Sequence, residues 1–118
     1  LSLVPNVPKP YLQREQDRTG EVVVHIEYRI APEDVSRFLS LMQVSRANRI
    51  RKGAIGWKLI NDWQHPELYI EEFVDSSLRA HWRRFDRVTA QDMALRSEKL
   101  ALHKGQEPPV VRRFFKNI

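Results

Sequence analysis

From Val22 to Ile30 the chain alternates strictly, with Val22, Val24, Ile26, Tyr28 and Ile30 on one side and Val23, His25, Glu27 and Arg29 on the other. A period of two commits the segment to a β-strand with one apolar face, and that face must be covered by something. The cover follows at once. Pro32 suits a first helical turn, Glu33 and Asp34 complement its dipole, and Val35, Phe38, Leu39 and Met42 form a stripe at helical spacing. The predicted helix runs from about residue 32 to Lys52 and stops at Gly53.

Two further runs, Ile55 to Trp63 and Leu68 to Asp75, flank the turn-like Gln64-His65-Pro66-Glu67 and read as a hairpin. Asp75, Ser76 and Ser77 offer a cap to a helix that carries Leu78, His81, Trp82 and Phe85 on one face. Thr89 and Asp92 have the spacing of a capping box, opening a third helix that ends near Gly105. Pro108 and Pro109 block further helix, and Val110 to Phe115 reads as the last strand. The order βαββααβ predicts an α+β, ferredoxin-like fold: a four-stranded antiparallel sheet with helices on one face. Residues 1–20, with Pro5, Pro8, Pro10 and the polar run Gln13 to Gly20, read as an extended linker ahead of one domain over 21–118.

The uncovered sheet face is expected to be mixed in character, with Tyr69 and Phe73 sharing a strand face and Phe114 and Phe115 on opposite faces. A surface of that kind usually meets a partner. The expected partner is a second copy packed sheet to sheet as a dimeric α+β barrel, with His25, Glu27, Arg29, Tyr69, Glu71 and Phe73 at the interface.

Composition narrows the chemistry. The chain has 118 residues, 42% of them hydrophobic, enough for one modest core. With no cysteine, disulfides, a thiolate nucleophile and Cys-containing zinc sites are excluded. No apolar run approaches the roughly 20 residues of a membrane-spanning helix, and Leu1 to Tyr11 lack the pattern of a secretory signal. The chain opens on Leu1 and not Met, so a fragment or a processed product is expected. The net charge of +5 comes from 20 basic and 15 acidic residues. The densest basic stretch, Arg46 to Lys52, ends a predicted helix, where cations complement the dipole, so nucleic acid is disfavoured as a partner.

Four segments carry a resemblance: HIEYRIAPEDVSRFLSLM from His25, RIRKGAIGWKLINDWQHPELYIEEF from Arg49, RAHWRRFDRVTAQD from Arg79 and LHKGQEPPVVR from Leu102. Together they resemble the C-terminal cytosolic domain of bacterial major facilitator superfamily permeases, the transmembrane secretion effector group related to enterobactin exporters. The resemblance implies the dimeric α+β barrel shared with antibiotic biosynthesis monooxygenases. It also implies attachment through the N-terminus to a transmembrane transporter region, on the cytoplasmic face of the inner membrane. Two positions depart from the group: Ser77-Leu78 stands where a Ser-Trp pair is common, and Arg113 or Phe114 where a histidine is common.

The candidate pocket residues are Trp57, His81, Trp82, His25 and Asn61. Aromatic walls and an imidazole are the usual material of a small-molecule site. Each of Trp57, Trp63 and Trp82 also lies on a face predicted to be core, and His81 suits a satisfied core or interface histidine. The four histidines lack metal-ligand spacing and no glycine-rich phosphate loop is present, so neither a metal nor a cofactor is expected. The function expected is a non-catalytic accessory domain of an efflux-type transporter, acting by dimerisation, ligand sensing or partner docking. The alternatives are a cofactor-independent monooxygenase and a soluble haem- or small-ligand-binding barrel of the same fold.

Overall fold

The computed structural model describes residues 20–118, so the linker expected over residues 1–20 lies, but for Gly20, outside them. Strand β1 spans Val22–Arg29, helix α1 Val35–Arg51, strand β2 Gly56–Asn61 and strand β3 Leu68–Asp75. Helix α2 spans Leu78–Arg83, helix α3 Ala90–Leu102 and strand β4 Val110–Phe115, with single 3-10 turns at Pro32–Asp34 and Arg84–Arg87. The sheet order is β2-β3-β1-β4 and every pairing is antiparallel, which is the predicted ferredoxin-like α+β architecture.

Local chemistry sets the boundaries. At the end of α1, Gly53 takes φ +108°, its N–H bonds Ile50 and that of Ala54 bonds Arg49, so the last carbonyls are satisfied as in a Schellman closure. Ser77 Oγ accepts from the Ala80 N–H to cap α2. Thr89 and Asp92 exchange both bonds of a capping box at α3, the Asp92 carboxylate accepting at 2.8 Å from the Thr89 N–H.

The helices cover the face that carries Val22, Val24 and Tyr28. One core cluster joins Val22, Val24, Ala54, Phe73 and Leu78; the other joins Tyr28, Ile30, Phe38 and Met42. Strand register fixes the rest: Val24 lies opposite Phe73, Ile26 opposite Glu71 and Tyr28 opposite Tyr69. Tyr69, Glu71 and Phe73 therefore point to the covered face, and the expectation that they join a sheet-to-sheet interface fails on geometry. The open face holds His25, Glu27 and Arg29 of β1 with Leu68, Ile70, Glu72 and Val74 of β3. From the edge strands it takes Lys58, Ile60, Val110, Arg112 and Phe114.

Two other expectations are corrected. Leu39 is exposed and the buried stripe of α1 runs through Phe38, Leu41, Met42 and Ser45, because the helix axis turns its polar Ser45 toward a buried acid. Trp63 is 92% exposed and outside the core, since β2 ends at Asn61 and the hairpin turn carries Trp63 away from the sheet.

Candidate functional site

Between the covered face, α1, α2 and α3 lies a cavity of 420 Å³, within the size range of small-molecule sites. Val24, Ile26, Tyr28 and Phe73 form its sheet side, Ser45, Arg49 and Lys52 line it from α1, and Met93, Arg96, Lys99 and Leu100 from α3. His81, Arg84 and Phe85 close the α2 side, and Val111 and Arg113 of β4 the edge.

Two carboxylates on β3, Glu71 and Asp75, lie directly behind this wall. Glu71 is 0% exposed. It accepts from Ser45 Oγ at 2.8 Å, Trp57 Nε1 at 2.9 Å, and Arg49 Nε and Nη2 at 3.1 and 3.3 Å, and Lys99 Nζ stands 3.8 Å away. Burial by itself would raise its pKa, but the charges of Arg49 and Lys99 and the bonds from Arg49 and Trp57 outweigh burial and hold it at about 2. Asp75 accepts from His81 Nδ1 and from Arg84 Nε, both at 2.9 Å, and from Arg84 Nη2. Burial is again overcome, chiefly by the Arg84 and His81 bonds, and its carboxyl also sits at about 2. Between the two acids, the Phe73 ring is flanked by the Arg49 and Arg84 guanidiniums at 4.3 and 4.9 Å.

The protonation of His81 follows from its partners. Arginine can only donate, so the 2.9 Å contact from Arg113 Nε makes His81 Nε2 the acceptor and leaves the proton on Nδ1, directed at Asp75. Burial lowers the His81 pKa, and the positive charge of Arg113 adds to that while the bond to Asp75 opposes it. The ring is thus a neutral link between Asp75 and Arg113, with both nitrogens engaged. Lys99, 5% exposed, donates to Ser45 Oγ at 3.0 Å. Its pKa falls to about 8 because burial disfavours the ammonium, with Glu71 opposing and Arg49 and Arg96 adding to the drop.

Of the residues expected in the pocket, only His81 lines the cavity. Trp57 lies on the covered face but is spent on Glu71, and Trp82 packs partly buried on the first core cluster. Asn61 braces the hairpin, donating to the Pro66 and Leu68 carbonyls, and is exposed. His25 is on the opposite side of the sheet, paired with Glu72 at 2.8 Å. The basic cluster of α1 is divided among separate tasks: Arg49 binds Glu71, Lys52 pairs with Asp92, and Arg51 donates to Asn48. The sequence reading missed Lys99, Arg84, Asp75 and the role of Glu71. One signal was available: Tyr69, Glu71, Phe73 and Asp75 share a strand face, an unusual pattern of acids between aromatics. Among the described residues no group of three or more His, Asp or Glu is placed to hold a metal ion.

The pattern of a family described as transmembrane secretion effector matches residues 3–118. No curated protein matches the chain. Among solved structures it is similar to a protein of Bordetella bronchiseptica provisionally described as an antibiotic biosynthesis monooxygenase, with TM-score 0.69 and 19% identity, covering 85% of this chain and 100% of that one. It is also similar to a conserved protein of Methanosarcina mazei, with TM-score 0.70 and 12% identity over 91% and 99% of the two chains. A third is SnoaB, a cofactor-independent oxygenase from Streptomyces nogalater, with TM-score 0.64 and 14% identity over 85% and 94%. At these identities the likeness is one of fold.

Proposed function

Since the chain belongs to the transmembrane secretion effector family, we propose that residues 21–118 form a non-catalytic accessory domain of an efflux-type transporter of the major facilitator superfamily, on the cytoplasmic face of the inner membrane. The observation that carries the non-catalytic reading is the saturation of the site. Glu71 and Asp75 are held as anions by internal cations, and both nitrogens of His81 are occupied. A general base needs a lone pair facing substrate, and these groups offer none. What remains is a cavity with apolar walls and cationic side chains, suited to holding a ligand. No helix among the described residues is long and apolar enough to cross a membrane, so this reading assigns the membrane part to the transporter region that the domain is attached to.

The same reading includes a dimer through the open sheet face. There His25, Lys58 and Glu72 form one polar set and Glu27 pairs with Arg112, while Ile60, Ile70, Val74 and Phe114 supply apolar area between them. A patch with internally neutralised charges and an apolar remainder suits a second copy of itself. Phe114, 44% exposed and edge-on to the His25 ring, is the substitution of choice. Phe114→Glu should convert a dimer to a monomer by light scattering, and an unchanged mass would remove the open face from the interface.

Attachment is tested by tagging the full reading frame after Ile118 and fractionating cells. The tag should appear in inner membranes and be digested by protease only in inverted vesicles. A tag in the soluble fraction would overturn the reading. Steady oxygen uptake by the 118-residue chain with electron-rich polyphenols, and no added cofactor, would favour the oxygenase alternative.

A further inference from the structure

The cavity is electrostatically lopsided. Arg49, Lys52, Arg84, Arg96, Lys99 and Arg113 line it, and the carboxylates that meet them are Asp92 in the wall with Glu71 and Asp75 behind. Six cations thus meet three acids, Arg113 donating to the neutral His81 ring. Lys52 takes Asp92 and Arg84 takes Asp75, whereas Arg49 and Lys99 share Glu71, with Arg49 the nearer partner at 3.1 Å against 3.8 Å. Arg96 has no hydrogen-bond or ion-pair partner among the described residues and stands, exposed, at the cavity edge. Arg96 and Lys99 are three residues apart on α3, which sets them side by side on the face turned to the cavity.

We infer that this cavity takes an amphipathic small anion: an aromatic or aliphatic body bearing one carboxylate-type acid group. The acid faces Arg96 and Lys99, and the body lies against Val24, Ile26 and Val111 of the sheet with Met93 opposite. The physical reason is that a positive charge in a partly dewatered wall gains more from an anion than in water, because the local dielectric is lower. A neutral body of the same shape would displace water from Arg96 and Lys99 and return no counter-charge. The inference rests on the ligand-binding part of the proposed function and adds the chemical class of the ligand. It is independent of the membrane attachment.

The test is calorimetric titration of the 118-residue chain with 2-naphthoate and, in parallel, 2-naphthylmethanol, the same ring system without the charge. One naphthoate should bind per chain, about tenfold or more tighter than the alcohol, as expected for one charge-assisted contact. Arg96→Gln removes a side chain without structural partners, so the fold should be unaffected. Naphthoate affinity should fall about tenfold and that of the alcohol should stay the same. The inference is overturned if the alcohol binds as tightly as naphthoate, if Arg96→Gln leaves naphthoate binding unchanged, or if naphthoate does not bind. Any of these with the tag still in the inner membrane would leave the transporter reading standing, and a soluble tag with tight naphthoate binding would do the reverse.

Discussion

Replacing Glu71 by glutamine removes the single negative charge that serves Arg49 and Lys99 while keeping nearly the same volume. In the native chain this carboxylate, fully buried, accepts four hydrogen bonds from Ser45, Trp57 and Arg49. Breaking a buried ion pair on one side costs about 3–5 kcal/mol, because the remaining charges keep their desolvation penalty and lose their compensation. A domain of this size holds roughly 5–15 kcal/mol in total, so Glu71→Gln should consume a large fraction of it. The melting temperature should fall by at least ~12 °C, taking ~4 °C or more per kcal/mol for a domain of about 100 residues. Urea unfolding followed by tryptophan fluorescence and circular dichroism measures this directly, and Trp57, whose indole N–H donates to this side chain, provides a local reporter. Lys99 adds a pH dependence. Without Glu71 its pKa, already lowered to about 8, has no carboxylate holding it up, so the amine sheds its proton and the penalty should shrink as pH rises from 7 to 9. The combined variant Glu71→Leu, Arg49→Met, Lys99→Met exchanges the whole charge set for apolar volume and should recover most of the loss. A destabilisation of Glu71→Gln under about 1 kcal/mol would mean that Glu71 does not compensate Arg49 and Lys99, since even one unsatisfied buried polar group costs that much.

Acid should unfold the domain in a defined window. Glu71 and Asp75 have pKa values of about 2 against ordinary values of 4.5 and 3.8, so the stability they contribute is complete above about 4.5 and is lost as pH falls toward 2; the unfolding midpoint against pH checks it. For His81 the folded pKa lies below its ordinary 6.5, so the unfolded chain binds the extra proton first and stability should begin to drop as pH falls below 6.5; its imidazole resonances should stay those of the neutral Nδ1–H form at pH 7. Thr89→Ala removes the side-chain half of the capping box and should cost about 1 kcal/mol in urea unfolding. Phe38→Ala should cost ~3–5 kcal/mol, while Trp63→Ala, at a solvent-exposed turn, should stay within about 0.5 kcal/mol.

Local signals were legible wherever short-range chemistry fixes the outcome. The alternation of β1, the capping box at Thr89 and Asp92, and the stop at Gly53 each depend on residues within a few positions of one another, and each stands in the structure as read. Face assignment failed where both faces of a strand are apolar. In β3, Leu68, Ile70 and Val74 alternate with Tyr69 and Phe73, so a period of two is clear but its phase is not, and the phase decides which set is covered. Only the pairing of Val24 with Phe73 and Ile26 with Glu71 fixes it. The candidate pocket suffered in the same way: His25 is aromatic and polar like His81, yet the sheet lies between them.

Short-range sequence signals set the βαββααβ order and the helix boundaries to within a few residues, because caps, turns and hydrophobic periods act locally, and composition excluded cysteine chemistry. Tertiary structure alone decided that Glu71 and Asp75 become buried anions, that Lys99 comes to Ser45 from 54 positions away and that His81 is neutral between Asp75 and Arg113. Those outcomes depend on desolvation and on charges brought together across the fold. Neither is encoded in any one segment; both exist only once the sheet and the helices have closed on each other.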